Sequence, residues 1–218
     1  MIKKQLGELS IEEFANTLTH GAGLILSVVG FFVLAVLAVT RGEPSYIAGL
    51  IIYGASLVIL YAASTFYHGA TSPKLKKRLQ LVDHCCIYLL IAGSYTPFGV
   101  VILDGQLGQI LLVGIWAFAA VGIILKLIFG DKYPALSVTS YVIMGWMGVF
   151  AIQPLFNLLG AMPVALAIAG GIAYTLGVVF FPWKSIRHHH AIFHVFVLAG
   201  SIFHYLAVLL YVVPFTRS

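Results

Sequence analysis

Seven runs of mostly apolar residues, joined by short connections, dictate most of what this chain can fold into. A helix needs about 20 such residues to cross the hydrocarbon core of a bilayer. Only a segment that satisfies its own backbone hydrogen bonds is tolerated there. The runs cover roughly residues 17–40, 45–68, 82–103, 107–129, 134–155, 161–181 and 190–213. Turn and breaker signals fill the connections: Arg41-Gly42-Glu43-Pro44, Ser72-Pro73, Asp104-Gly105, Gly130-Asp131, Met162-Pro163 and Pro182-Trp183. Little chain is left over, so the expectation is one domain over 1–218, an all-α membrane protein built as a seven-transmembrane-helix bundle. Composition agrees, with 61% hydrophobic and 9% charged residues against about 25% charged in a soluble domain.

The first run is too long for the core of a cleavable signal peptide and follows an acidic amphipathic stretch from Glu8 to Phe14, so no signal peptide is expected. Pro97 predicts a kink near Gly93-Ser94. Cys85 and Cys86 are adjacent in an apolar run and are not expected to form a structural disulfide.

The net charge of +5 would suggest nucleic acid in a soluble protein. Here the basic residues sit in short loops, where they set orientation instead. With a cytoplasmic N-terminus, the inside receives Lys3, Lys4, Lys74, Lys76, Lys77, Arg78, Lys126, Lys132, Lys184 and Arg187, and the outside receives only Arg41 and Arg217. That ten-to-two bias predicts N-in and C-out, and it supports the helix count, because one missed span would scramble the alternation.

Against this apolar background the polar residues carry the information. His190 and His194 stand four residues apart at the head of the seventh run, on one face of a helix, where one cation can be held by both rings. Histidine in hydrocarbon is costly and asks for a reason. His68 ends the second run, with Ser64 one turn earlier on the same face. Asp83 is the one carboxylate placed at the entrance of an apolar run, where it reads either as a functional group or as a cap that begins the third helix. The topology brings His68, Asp83, His190 and His194 to one cytoplasmic level. Three histidines and a carboxylate suit a tetrahedral Zn²⁺ site.

The remaining histidines read differently. His188 and His189 belong to a basic loop and are expected to be solvated. His84 points about 100° away from Asp83 on a helix, outside the ligand set. His204 lies about 15 Å deeper than His194 and is expected to be a hydrogen-bonded interior residue. His20 is near the site end of the first helix, where a supporting role is open. Glu13 and Asn16, one turn apart just before it, are expected to cap and orient that helix.

These motifs carry a resemblance. Glu13-x-x-Asn16-x-x-Thr19-His20-Gly21, Ser64-x-x-x-His68, Asp83 before an apolar helix and His190-x-x-x-His194 resemble, in order and spacing, the bacterial hemolysin III family. That family groups with the progestin and adipoQ receptors and is more distantly similar to alkaline ceramidases. The resemblance implies a multi-pass protein of the bacterial inner membrane with zinc near the cytoplasmic face. It implies ligation by His68, His190 and His194, with Asp83 binding the metal directly or through a water and Ser64 beside it. The chain lacks the long extramembrane N-terminal region of the receptor branch, which argues against receptor-type ligand reception.

The leading expectation is a zinc-dependent hydrolase of a lipid amide or related bond, with a role in membrane homeostasis. Asp83 would act as general base and Ser64 as a hydrogen-bond donor to the developing oxyanion. The expected partners are membrane lipids, a lipid substrate among them, and not nucleic acid; the sequence names no protein partner. Two alternatives stand beside it: a non-catalytic sensor or regulator whose zinc is structural, and a cytolytic, pore-forming protein as the family name suggests. For the last, no line of charged residues through the membrane is present. A proton-pumping or retinal-type protein is not expected, because the seventh run has no lysine to form a Schiff base and no chain of carboxylates crosses the membrane.

Overall fold

The structure is a computed structural model that describes residues 10–103 and 105–216. Lys3, Lys4, Glu8, Asp104 and Arg217, all used in reading the sequence, lie outside the described residues. Among the described residues, seven helices are long and apolar enough to cross a membrane: α1 (Ile11–Arg41), α2 (Pro44–Gly69), α3 (Pro73–Ile102), α4 (Gln106–Phe129), α5 (Pro134–Leu159), α6 (Ala161–Phe180) and α7 (His189–Val212). Among the described residues there is no strand. The chain is a multi-pass membrane protein.

Local chemistry sets the helix ends. Ser10 caps α1 by accepting a hydrogen bond from the Glu13 backbone N–H, and Glu12 and Glu13 place negative charge in the first turn. Gly42 closes α1 at φ 73°, a left-handed conformation glycine adopts without strain, and returns its N–H to Ala38 O. Prolines stand in the first turn of α2, α3 and α5, where a missing N–H costs nothing.

Two helices begin earlier than expected. α1 starts at Ile11 rather than near residue 17, so Glu12, Glu13 and Asn16 are helical residues. α3 starts at Pro73 rather than near residue 82, and its first turns read Pro-Lys-Leu-Lys-Lys-Arg-Leu-Gln. Those residues are good helix formers but not apolar, so hydropathy registers only the part of the helix that can sit in lipid. Asp83 is therefore not a cap; it lies well inside α3 and is buried. The irregularity around Pro97 also falls elsewhere than expected. Gly93 is pressed against Ser56 of α2, where an added Cβ would come within 2.3 Å of Ser56 Oγ. The departure from α geometry follows the proline instead, as a widened π-type turn over Phe98–Ile102 in which Leu103 N–H reaches Phe98 O at 2.8 Å.

Packing orders the bundle. α2 and α3 are the most buried helices and α5 the least. A core of Leu34, Leu50, Tyr53, Leu57, Tyr61, Leu90, Val208 and Val212 joins α1, α2, α3 and α7. A second cluster, Tyr88, Ala92, Ile115, Ala119 and Met144, joins α3 to α4 and α5. α1 buries one stripe, Asn16, His20, Gly23, Ser27, Gly30, Leu34 and Ala38, and leaves Leu18, Ile25, Phe32 and Val39 exposed as a lipid-facing side would be. The glycines in that stripe permit close approach: a Cβ on Gly23 would lie 2.5 Å from the Tyr61 ring. Further along, the Tyr205 hydroxyl donates to Gly30 O at 3.0 Å. The start of α1, the end of α2, the start of α3 and the start of α7 meet at one end of the bundle.

Candidate metal centre

Three histidines converge at that end. His68 on the last turn of α2 and His190 and His194 on the first turns of α7 offer ring nitrogens that all lie within 4.8 Å of one another. The ring centroids are 5.0 Å apart for His68 and His190, 4.9 Å for His68 and His194, and 4.6 Å for His190 and His194. His68 and His194 are buried and His190 is half-buried between Phe181 and Phe193. The connection from α6 ends at His188, whose φ of 59° turns the chain into α7 and sets the histidine register.

Hydrogen bonds select the tautomers. His68 Nδ1 lies 2.7 Å from Glu13 Oε2, an acceptor only, so Nδ1 carries the proton and donates it. In the neutral ring His68 Nε2 is then a bare lone pair, and it is buried without any hydrogen-bond partner. His194 Nδ1 lies 3.2 Å from Thr19 Oγ1. The single Thr19 proton is directed at the Ala15 and Asn16 carbonyls, so Thr19 accepts from His194 and leaves His194 Nε2 free of hydrogen. A buried, unpartnered imidazole nitrogen among two others is costly to leave unmade and is what a bound cation would satisfy. An all-nitrogen donor set suits a zinc-type transition metal and not magnesium or calcium.

Asp83 and Ser64 are close to this group without joining it. The three-nitrogen cluster does not include Asp83 among the described residues. Its carboxylate is turned toward the Ser64 hydroxyl. Ser64 Oγ lies 2.6 Å from His20 Nδ1, and the His20 ring stacks on His194 at 3.4 Å with 15° between planes. Asp83, Ser64, His20 and His194 thus form one contiguous file from α3 through α2 and α1 to α7.

A cavity of about 190 Å³ opens beside the histidines, lined by Glu12, Glu13, Asn16, Tyr67, His68 and His190 among others. Asn16 Oδ1 is buried there without a hydrogen-bond partner. The other histidines divide. His204 Nε2 bonds Ala167 O at 3.1 Å in the interior. His84 Nδ1 faces Asp131 Oδ1 at 3.0 Å, away from the three-histidine group. His188 and His189 are not solvated as expected: both are half-buried, and His189 reaches Phe180 O at 3.3 Å and Glu12 Oε1 at 3.5 Å. Glu13 and Thr19 do more than organise α1, since each fixes a histidine on another helix. The signal for this was their spacing with Asn16 and His20, which puts all four along the inner side of one helix.

The sequence matches the family model described as haemolysin-III related over residues 10–205. It is 43% identical over 203 residues to Hemolysin-3 of Bacillus cereus, covering 93% of each chain. It is 42% identical over 202 residues to the Hemolysin-3 homolog of Bacillus subtilis (strain 168), covering 93% of this chain and 95% of that one. A more distant likeness, 32% over 205 residues, is to the human monocyte to macrophage differentiation factor, covering 90% of this chain and 83% of the human protein.

Proposed function

From the premise that this chain belongs to the haemolysin-III-related family of multi-pass bacterial membrane proteins, we propose that it is a zinc-dependent hydrolase of a lipid amide or related bond. The observation that carries the reading is the convergence of three imidazole nitrogens around a buried, unpartnered His68 Nε2. His68, His190 and His194 would hold the ion. Zinc held by three protein ligands keeps an open position, activates water near neutral pH and polarises a carbonyl.

The protein side of the chemistry falls to Ser64 and Asp83. Asp83 would take the proton of the attacking water as general base and return it to the leaving amine or alkoxide. With His20 donating from Nδ1 to Ser64 Oγ, the hydroxyl keeps its own hydrogen, which faces the Asp83 carboxylate; once Asp83 has taken up a proton, Ser64 would be free to turn that hydrogen to an oxyanion developing at the carbonyl. The cavity beside the histidines, with Glu12, Glu13 and Asn16 in its wall, supplies an aqueous approach. In the N-in orientation that the basic residues favour, this approach opens to the cytoplasm and the lipid headgroup lies at the same level.

Purified protein is assayed for product release from a panel of lipid amides and esters, beside metal-stripped protein and Asp83→Asn. Zinc-dependent release that Asp83→Asn lowers by about 100-fold or more is expected for a lost general base. Zinc bound at full occupancy with no turnover on any substrate would overturn the hydrolase reading in favour of a structural metal.

A further inference from the structure

We infer that Glu13 is a positioning residue for the metal centre: with Lys76 it forms a three-helix clasp that locks His68 with its Nε2 toward the ion. This rests on the three-histidine reading above and adds residues from two helices that supply no ligand. The two Glu13 oxygens are divided. Oε2 takes the His68 Nδ1 proton at 2.7 Å, and Oε1 lies 3.0 Å from Lys76 Nζ. Lys76 in turn reaches the Tyr67 and His68 carbonyls at 3.4 Å each, in the last turn of α2, where Tyr67 O also accepts the Ala70 N–H that caps the helix. One carboxylate and one ammonium therefore tie the start of α1 and the start of α3 to the ligand-bearing end of α2.

The arrangement acts on the ligand in two ways. A carboxylate on Nδ1 disfavours the neutral tautomer in which Nε2 carries the proton and cannot bind metal, and it fixes the plane of the ring. Lys76 keeps that carboxylate from rotating toward water, since Glu13 is only partly covered while His68 is 2% exposed. A partly exposed ion pair contributes little to folding by itself. The clasp therefore separates two quantities: it governs metal affinity far more than it governs the stability of the metal-free bundle.

The test is zinc affinity of the full chain in detergent, measured by competition with a chromogenic chelator, for wild type, Glu13→Gln, Glu13→Ala, Lys76→Met and His68→Ala. The melting temperature of each metal-free protein and the visible spectrum of each cobalt-substituted protein are recorded beside it. Glu13→Ala is expected to weaken zinc binding by about 10–100-fold, with Glu13→Gln and Lys76→Met weaker in the same direction. Metal-free melting is expected to stay close to wild type while the cobalt bands shift. Glu13→Gln nearly preserves side-chain volume, so it keeps the experiment decisive if Glu13→Ala does not fold. Wild-type affinity in Glu13→Gln and Glu13→Ala, or an affinity loss that only follows melting temperature, overturns the clasp. A wild type that holds no zinc overturns the metal centre itself and the clasp with it, an outcome distinct from the other two.

Discussion

His68 Nε2 is the atom on which the site turns, because it is buried and without a partner. His68→Ala and His194→Ala are each expected to lose bound zinc on metal analysis while the protein remains folded by circular dichroism. Full occupancy in both would refute the ligand set. Thr19→Val removes the acceptor at 3.2 Å from His194 Nδ1. It is expected to weaken zinc by up to about 10-fold, at the low end of what outer hydrogen bonds contribute. The convergence of His68, His190 and His194 was legible in the sequence, because a four-residue histidine spacing and a shared membrane level are local facts, whereas that Asp83 stands outside their group was not. The residues that orient them were not. Glu13 meets His68 across 55 positions and Thr19 meets His194 across 175, and only packing of α1 against α2 and α7 makes those pairs.

At the level of the element, close contact and charge placement do the work. Gly23 lets α1 lie against the Tyr61 ring, which stands edge-on to His20 at 5.1 Å. Gly23→Val is expected to cost about 1–3 kcal/mol through overpacking and to lower zinc affinity by displacing His20 from His194. Equilibrium unfolding and metal competition measure the two effects separately. The turn after α4 holds a second tie. Lys126, buried at the end of that helix, meets Asp131 Oδ1 at 2.5 Å, and His84 approaches the same oxygen at 3.0 Å. Burial alone would raise the Asp131 carboxyl, but the hydrogen bond from Lys126 and the neighbouring His84 hold it below the usual carboxylate range. A carboxylate depressed on folding stabilises above its unfolded pKa, and the contribution disappears as pH falls through the folded one. Wild type is thus expected to melt above Asp131→Asn at neutral pH, with the two curves converging as pH drops below about 4. Helix existence was readable from hydropathy, whereas the start of α3 was not. Its first turns are held by helix propensity and by Lys76 meeting Glu13, neither of which an apolar window detects.

For the whole molecule, the seven-helix count follows from length and apolarity, and the basic residues argue its orientation. Single cysteines at Glu43→Cys and Ser185→Cys, in a chain with Cys85 and Cys86 replaced by alanine, give a direct reading in intact cells. A membrane-impermeant maleimide is expected to label position 43 at once and position 185 only after lysis. The reverse pattern would invert the topology and put the histidine end outside. The buried stripe of α1 has a further consequence at this scale. α1 leaves the ribosome first and α7 last, yet His194 needs Thr19 for its tautomer and stacks on His20. No partially made chain can bring the three histidines and Thr19 together, so metal uptake would report that synthesis has finished and that the two ends of the polypeptide have found each other. Zinc would then mark a completed molecule, and chains that lose their last helix would remain metal-free and distinguishable to the cell's quality control.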